Sequence, residues 1–353
     1  MRYNRFGNTG LIVSELCLGA MTFGDRSGGR WANIHGLTQD DSTALVKQAV
    51  DAGINMIDTA NVYTTGQSEQ YVGGALKALG LKRSDVIIAT KAMGAMGEGK
   101  NDSGTSRKHL LDQIDASLGR LGLDHVDLYQ IHGWDPITPM DEALEALNDI
   151  VRSGRARYIG VSNWAAWQIA KALGISERRG WAKFVSDQAY YTVAGRDLER
   201  ELAPMLMSEG LGLMVWSPLA GGLLSGKYDL TAEGAKGEGR RANFDFPPVD
   251  LKRAAPLVAA MSSMADKRGV SVAQIALAWL LYQPVVSTVI VGAKRPDQLA
   301  DNIASTQVEL ETAELERLDE LSALPREYPG WMFAMQGGYS AGKISERRKP
   351  QNH

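Results

Sequence analysis

Four side chains of complementary chemistry stand out in the first part of the chain: Asp58, Tyr63, Lys91 and His132. A tyrosine phenol titrates near pH ~10 and is a poor acid at neutral pH unless its surroundings tune it. A lysine ammonium beside the phenol stabilises the phenolate and lowers that pKa. An aspartate against the lysine keeps it charged and in place. A histidine adds a hydrogen-bond donor that can orient a substrate oxygen. Together the four types can polarise a carbonyl group and hand a proton to its oxygen. None of them is a hydride source, so reduction at that carbon needs a cofactor. Each also has a plainer role when taken alone: Asp58 as a helix cap, Tyr63 as a packing residue, Lys91 as a solvated cation, His132 as a structural ring.

The elements that must position these groups follow from hydrophobic pattern. Short apolar runs recur at 16–19, 55–57, 86–90, 126–131, 158–161, 184–186, 213–216 and 288–291. They are continuously apolar rather than alternating, which predicts strands buried on both faces. Helical periods lie between them. One covers 43–52 after the acidic pair Asp40 and Asp41 and stops before Gly53. Another covers 106–121, with Leu110, Leu111, Ile114, Leu118 and Leu121 on one face, and stops before Gly122. A third covers 141–152 and stops before Gly154. Glycine just past the last periodic residue is a helix stop signal.

Strand–helix alternation implies a parallel sheet with right-handed crossovers. Eight strands fit an α/β fold of the closed (β/α)8 TIM barrel type. An open dinucleotide-binding sheet is the alternative, but the first unit lacks its G-x-G-x-x-G turn. Barrels carry their chemistry at the C-terminal ends of the strands. There the sequence offers Asp58 and Tyr63 after the second strand, Lys91 after the third and His132 after the fourth. Ser162 and Asn163 follow the fifth, and Asp187 and Gln188 the sixth.

The chain has 353 residues, 44% hydrophobic and 22% charged, which is enough apolar material for a barrel core. A net charge of −3 gives no basic field for nucleic acid or an acidic membrane. Cys17 is the single cysteine, so an intrachain disulfide and a thiolate metal cluster are both excluded. No run of roughly 18 apolar residues occurs, and the start has no apolar leader core; a soluble cytoplasmic protein is expected. Asp58 and Asp187 are carboxylates near strand ends, yet no His/Glu cluster has ligand spacing and Lys91 competes for Asp58, so no metal is expected.

Three stretches lie outside the repeat. Residues 1–14 read as an N-terminal β-hairpin around Gly7–Gly10 covering one barrel end. Residues 228–250 form a long polar, Gly-rich loop, uncommon unless functional or mobile. The barrel domain is expected over 1–325. The tail 326–353, with Tyr328, Trp331 and Phe333, is expected to line part of the substrate site and to end in a disordered charged segment.

The segments GINMIDTANVY (53–63), IIATK (87–91), DLYQIH (127–132), GVSNW (160–164) and WSPLAGGLLSGKY (216–228) resemble the aldo-keto reductase superfamily. The resemblance runs in the family's order from about Tyr3 to about Leu321. It is most like the bacterial aryl-alcohol-dehydrogenase-like and potassium-channel-β-like branches. It implies that Asp58, Tyr63, Lys91 and His132 are a catalytic tetrad. The implied reaction is reversible hydride transfer from NADPH, or from NADH, to an aldehyde or ketone, with the proton from Tyr63.

The same matching implies that Ser162, Asn163 and Gln188 hold the nicotinamide carboxamide. Trp216 would stack on the ring, where relatives often have Tyr. Segment 217–227 would wrap the pyrophosphate through Ser217, Leu219, Gly221 and Lys227. Segment 291–302 resembles an adenosine-phosphate site, with Gly292 in its turn, Lys294 and Arg295 for the 2′-phosphate, and Gln298 and Asn302 for the adenosine end. Some relatives have Arg where Gln298 stands, which leaves NADP over NAD open.

A substrate wall of Met21, Trp31, Trp134 and Trp331, with Phe23, Trp164 and Met332 nearby, favours an apolar or aromatic carbonyl or its alcohol. A second class is equally compatible with an intact tetrad: a cofactor-binding regulatory subunit of the channel-β type. The resemblance admits a homo-oligomer.

Overall fold

Apolar runs become the staves of a barrel. The computed structural model describes residues 1–25, 36–231, 234–236, 241 and 245–341. Trp31 and the expected disordered end beyond residue 341 lie outside the described residues, as do parts of the 228–250 loop. The strands are β1 (Tyr3–Arg5), β2 (Ile12–Ser14), β3 (Leu16–Gly19), β4 (Met56–Asp58), β5 (Ile87–Ala92) and β6 (Val126–Ile131). They continue with β7 (Ala156–Ser162), β8 (Phe184–Tyr190), β9 (Gly212–Trp216), β10 (Asp229–Thr231), β11 (Gly234–Lys236) and β12 (Val286–Val291). Eight of these close into a parallel barrel in the order β12-β3-β4-β5-β6-β7-β8-β9.

Alternation along each strand sorts the core into two layers. Cys17, Met56, Ala89, Leu128, Met214 and Ile290 pack together with Phe6 and Val13 of the N-terminal hairpin in one cluster inside the barrel. Their neighbours Leu16, Leu18, Ile57, Ile88, Tyr129, Val215 and Val289 pack in the other, against the helices. The hairpin β1–β2 is antiparallel, as expected from residues 1–14. Asn8 N–H donates to Gly210 O at 2.6 Å, and Asn4 Nδ2 donates to Ser287 O at 2.9 Å. Those partners sit where β9 and β12 begin, so the hairpin covers the N-terminal end of the barrel, opposite the C-terminal ends of the strands.

Helix and strand limits shift from the sequence expectation for local reasons. The first helix spans Gln39–Asp51, starting before residue 43, because Thr38 caps it: Asp41 N–H donates to Thr38 Oγ1 and the Asp41 carboxylate accepts from Thr38 N–H. The acidic pair lies inside its first turn, where the helix dipole favours it. The helix Arg107–Leu121 starts at the Ser106 cap and stops at Gly122, whose φ of 65° is left-handed. The helix Met140–Arg152 also meets expectation. Strands β5, β7 and β8 run past their apolar residues to Ala92, Ser162 and Tyr190, since backbone pairing continues as Lys91 with Gln130 and Ser162 with Gln188. Lys91, Ser162 and Gln188 are therefore part of strands rather than of loops beyond them.

Residues Met1–Ser322 form one compact unit and Ala323–His353 a second. Within the second, the helix Gly330–Ala341 carries Trp331, whose ring meets that of Tyr328 at 6.0 Å. Among the described residues no helix is long and apolar enough to cross a membrane.

Candidate active site

Lys91 is the hub of the barrel mouth. Its side chain is wholly sealed from solvent. The ammonium donates to three acceptors: Asp58 Oδ2 at 2.6 Å, Thr59 O at 2.9 Å and Tyr63 Oη at 3.2 Å. Three donors meeting three acceptors leave it one position. The ammonium also lies 4.9 Å from the centre of the Tyr63 ring. Burial alone would lower the Lys91 pKa, but the Asp58 carboxylate and then Tyr63 more than reverse this, and the net shift is upward.

Asp58, the last residue of β4, uses its other oxygen as well. Oδ1 accepts from Gln188 Nε2 at 3.0 Å and from Gln130 Nε2 at 3.2 Å. Gln188 Nε2 also reaches Gln130 Oε1 at 3.3 Å. Gln130 was not singled out from the sequence. Its signal was a polar residue two before His132 in an apolar strand, hence on the same inner face.

Tyr63 follows β4 in a short turn and is 7% exposed. In their contact Lys91 is the donor and the phenol oxygen the acceptor. Lys91 pulls the phenol pKa down, as expected, but burial pushes it up more, and Asp58 adds to the rise. The expected net lowering is thus corrected: the enclosed phenol holds its proton throughout the neutral range. The half-buried His132 ring stands edge-on to Tyr63 at 5.6 Å. Burial, then the Lys91 charge, lowers the His132 pKa to about 3, so the imidazole is neutral at physiological pH.

Ser162, Asn163 and Trp216 join the same network. Ser162 Oγ donates to Gln188 O at 2.7 Å. Asn163, at a φ of 60°, donates from Nδ2 to His132 O at 3.2 Å and to Ser162 Oγ at 2.9 Å. Its Oδ1 accepts from Trp216 Nε1 at 3.0 Å. Trp216 ends β9 and stacks with Phe246, ring centres 5.9 Å apart and planes 10° off parallel. Phe246 lies in the long loop and was missed, because a stacking partner thirty residues downstream leaves no local pattern.

The segment after β9 is a chain of tight turns suited to an anion. Ser217, Ala220, Gly221 and Gly222 have φ of 50°, 51°, 67° and 95°. Tight turns with exposed backbone N–H groups are a common setting for anion binding. Ser217 Oγ accepts from Gly221 N at 3.0 Å. A Cβ at Gly221 would stand 2.6 Å from Phe246 O, so only glycine fits. Leu219 is half-buried and Lys227 is exposed on this segment.

After β12, which neighbours β9, Gly292 leads into a second turn. Asn302 Nδ2 donates to Gly292 O at 3.4 Å, and Gln298 Oε1 accepts from Lys294 N at 2.9 Å. Gln298 and Asn302 therefore brace the turn that presents Lys294 and Arg295. Arg295 pairs with Asp297 at 2.9 Å on the exposed surface. The helix Pro296–Ala304 begins there, and its N-terminus favours a phosphate. The two turns on adjacent strands suit the two ends of a dinucleotide.

Other expected residues divide. Met21, after β3, is half-buried at the mouth, and Trp134 is half-buried between Trp164 at 4.9 Å and Trp167 at 6.3 Å. Phe23 and Trp164 are packing residues instead: Phe23 is fully buried, and Trp164 stands edge-on to Phe184. Trp331 and Met332 belong to the separate C-terminal unit.

Asp187 also departs from expectation. A register shift in β8 sets it opposite Val161 and Leu213, both of the helix-facing layer, so it is turned away from the mouth. It is fully buried, with neither carboxylate oxygen in a well-formed hydrogen bond. Burial pushes its pKa up to about 8, against a small opposing pull from the Gln188 backbone.

The family model described as "Aldo/keto reductase family" matches residues 15–323. The chain is 37% identical to a versiconal hemiacetal acetate reductase of Aspergillus parasiticus, over 94% of this chain and 99% of that one. It is 36% identical to a protein of Arabidopsis thaliana described as a probable voltage-gated potassium channel subunit beta, over 87% and 92%. An uncharacterized oxidoreductase of Bacillus subtilis (strain 168) is 35% identical over 91% and 96%.

Proposed function

Since the chain belongs to the aldo/keto reductase family and is an oxidoreductase of carbonyl compounds, we propose that it reduces an aldehyde or ketone with NADPH, reversibly, and that Tyr63 gives the proton. The observation that carries this is the Lys91 ammonium, gripped by Asp58 at 2.6 Å and donating to Tyr63 Oη at 3.2 Å. A phenol oxygen that already accepts from a cation is ready to release its proton to an oxygen gaining negative charge. The neutral His132 ring, beside Tyr63, offers an uncharged donor that orients the same oxygen.

Ser162, Asn163 and Gln188 would hold the nicotinamide end, with Trp216 beneath the ring. Ser217, Leu219, Gly221 and Lys227 would hold the pyrophosphate. Gly292, Lys294, Arg295, Gln298 and Asn302 would hold the adenosine-phosphate end. A reduced nicotinamide held there would supply the hydride; the part of this chain is for Tyr63 to protonate the carbonyl oxygen. The resulting phenolate is stabilised by Lys91 until solvent returns its proton. Met21 and Trp134 would contact an apolar or aromatic substrate.

The test is NADPH consumption with an activated aromatic aldehyde, wild type beside Tyr63→Phe. The variant is expected to bind cofactor normally and to lose roughly 10²–10⁴-fold in kcat. Equal turnover in both would remove Tyr63 from the role. The relative named as a channel subunit beta motivates a second reading, a cofactor-binding regulatory subunit. Tight retention of NADPH with negligible turnover of any carbonyl would favour it.

A further inference from the structure

Immediately after Tyr63 the backbone turns left-handed for three residues: Thr64 (φ 48°, ψ 39°), Thr65 (φ 52°, ψ 47°) and Gly66 (φ 88°). Two successive β-branched residues in that region are strained. Such strain persists only where surrounding contacts over-determine the conformation.

Those contacts come from the segment 20–25 that follows β3. Thr64 is 3% exposed, and its Oγ1 donates to Phe23 O at 2.9 Å. Its side chain fills the space beside Gly24, where a Cβ would stand 2.6 Å from Thr64 Cγ2. Gln67 and Asp25 exchange two hydrogen bonds: Asp25 N to Gln67 Oε1 at 3.0 Å, and Gln67 Nε2 to Asp25 Oδ1 at 2.6 Å. Ser68 Oγ donates to Ala20 O at 2.7 Å. The segment 20–25 is thus laced to 64–68 along its length. It is anchored in turn at Asp58, whose O accepts from Ala20 N at 2.8 Å, and at Ala293, whose O accepts from Thr22 Oγ1 at 3.0 Å. At the end of the turn, Gly66 lies against Arg120, which is held by Glu69 at 2.6 Å. Thr65, between the two clamps, is exposed.

We propose that Thr64 is a positioning residue: by tethering the strained turn to the 20–25 strap it aims the Tyr63 phenol at Lys91, and through Thr22 it links that aim to the loop after β12. The proposal rests on the reading of Tyr63 as proton donor. It predicts that strain and tether are separable. Thr65→Gly relieves strain without touching the strap. Thr64→Gly relieves strain and removes the tether. Thr64→Val keeps the shape and loses the hydroxyl. Thr64→Ser keeps the hydroxyl.

Thr65→Gly is expected to raise Tm by about 2 °C with kcat within about twofold of wild type. Thr64→Gly is expected to fold, the relieved strain offsetting part of the lost buried contact, yet to lose roughly tenfold in kcat with KM unchanged. Thr64→Val should fall part of the way, and Thr64→Ser should restore most of the rate. Wild-type kcat in both Thr64→Gly and Thr64→Val would overturn the proposal, as would a Thr64→Ser rate as low as that of Thr64→Val.

A second readout does not depend on turnover. In protein labelled with 3-fluorotyrosine, the ¹⁹F signal absent from Tyr63→Phe reports this phenol. It should shift or broaden, and titrate at a different pH, in Thr64→Val but not in Thr65→Gly. An unaltered signal in Thr64→Val would overturn the positioning role whatever the kinetics. If the wild type reduces no carbonyl, the functional reading fails while the fluorine signal still decides the role of Thr64.

Discussion

Asp58 and Lys91 meet at 2.6 Å with both side chains shut away from water. Such a pair is costly to break from one side, because the remaining charge is left buried and uncompensated. Asp58→Ala is therefore expected to destabilise the protein by about 3–5 kcal/mol in urea unfolding. Asp58→Asn, which keeps an acceptor for Lys91, should lose less stability but still depress turnover. A loss below about 1 kcal/mol for Asp58→Ala would mean that Thr59 and Tyr63 alone satisfy the ammonium.

The pH dependence of reduction follows from three shifts. Burial holds the Tyr63 pKa above its ordinary value despite Lys91, Lys91 is itself raised, and His132 is lowered to about 3. None of the three changes charge between pH 5 and 8. The reduction rate should be flat across that interval and fall only in alkali, as the phenol loses its proton. Alcohol oxidation, which needs the phenolate, should rise there instead. A break in the kcat profile near pH 6.5 would contradict the assignment of a neutral His132.

Asp187 should make the fold less stable as pH rises. Its carboxyl is raised to about 8 in the folded protein, against an unfolded value near ~4. Between those values the folded state binds a proton that the unfolded state has released. Stability therefore falls with increasing pH, by up to about 1.4 kcal/mol per pH unit inside the window. Asp187→Asn should flatten the difference between melts at pH 5 and pH 8. An equally steep slope in the variant would trace the effect to another group.

Cofactor preference should reside in the exposed turn before Pro296. Lys294→Ala combined with Arg295→Ala is expected to weaken NADPH on the order of tenfold more than NADH, because only the former carries the 2′-phosphate. Fluorescence titration of both nucleotides measures the ratio. An unchanged ratio would move the phosphate contact elsewhere.

The strands were readable in the sequence because each inner and outer apolar residue is contiguous in the chain, as at Leu16–Gly19. Their ends were not, since Lys91 and Gln188 remain paired to neighbours despite being polar. Asp58, Tyr63, Lys91 and His132 stood out by type and order, and the structure brings the four side chains together. Gln130 was not, because its value lies in a contact with Asp58, 72 residues away in the chain. The acidity of Tyr63 was misjudged for a related reason: the lysine was visible in the sequence, while the enclosure that outweighs it was not. The facing of Asp187 was not legible, because a single extra residue in β8 shifts the register and decides which face of the sheet each side chain takes.

The N-terminal hairpin bears on how the barrel is made. Asn4 reaches Ser287 across 283 positions of chain, beside the seam where β12 meets β3. During synthesis the first stave must wait for the last, and every stave between them is laid down before the ring can shut. The hairpin itself is local and needs only the first fourteen residues. Once the ring shuts, Phe6 and Val13 bury against the barrel strands and the hairpin becomes a basal latch remote from the mouth. Damage to it should therefore appear as slow or incomplete assembly, with the chemistry of the molecules that do close left intact.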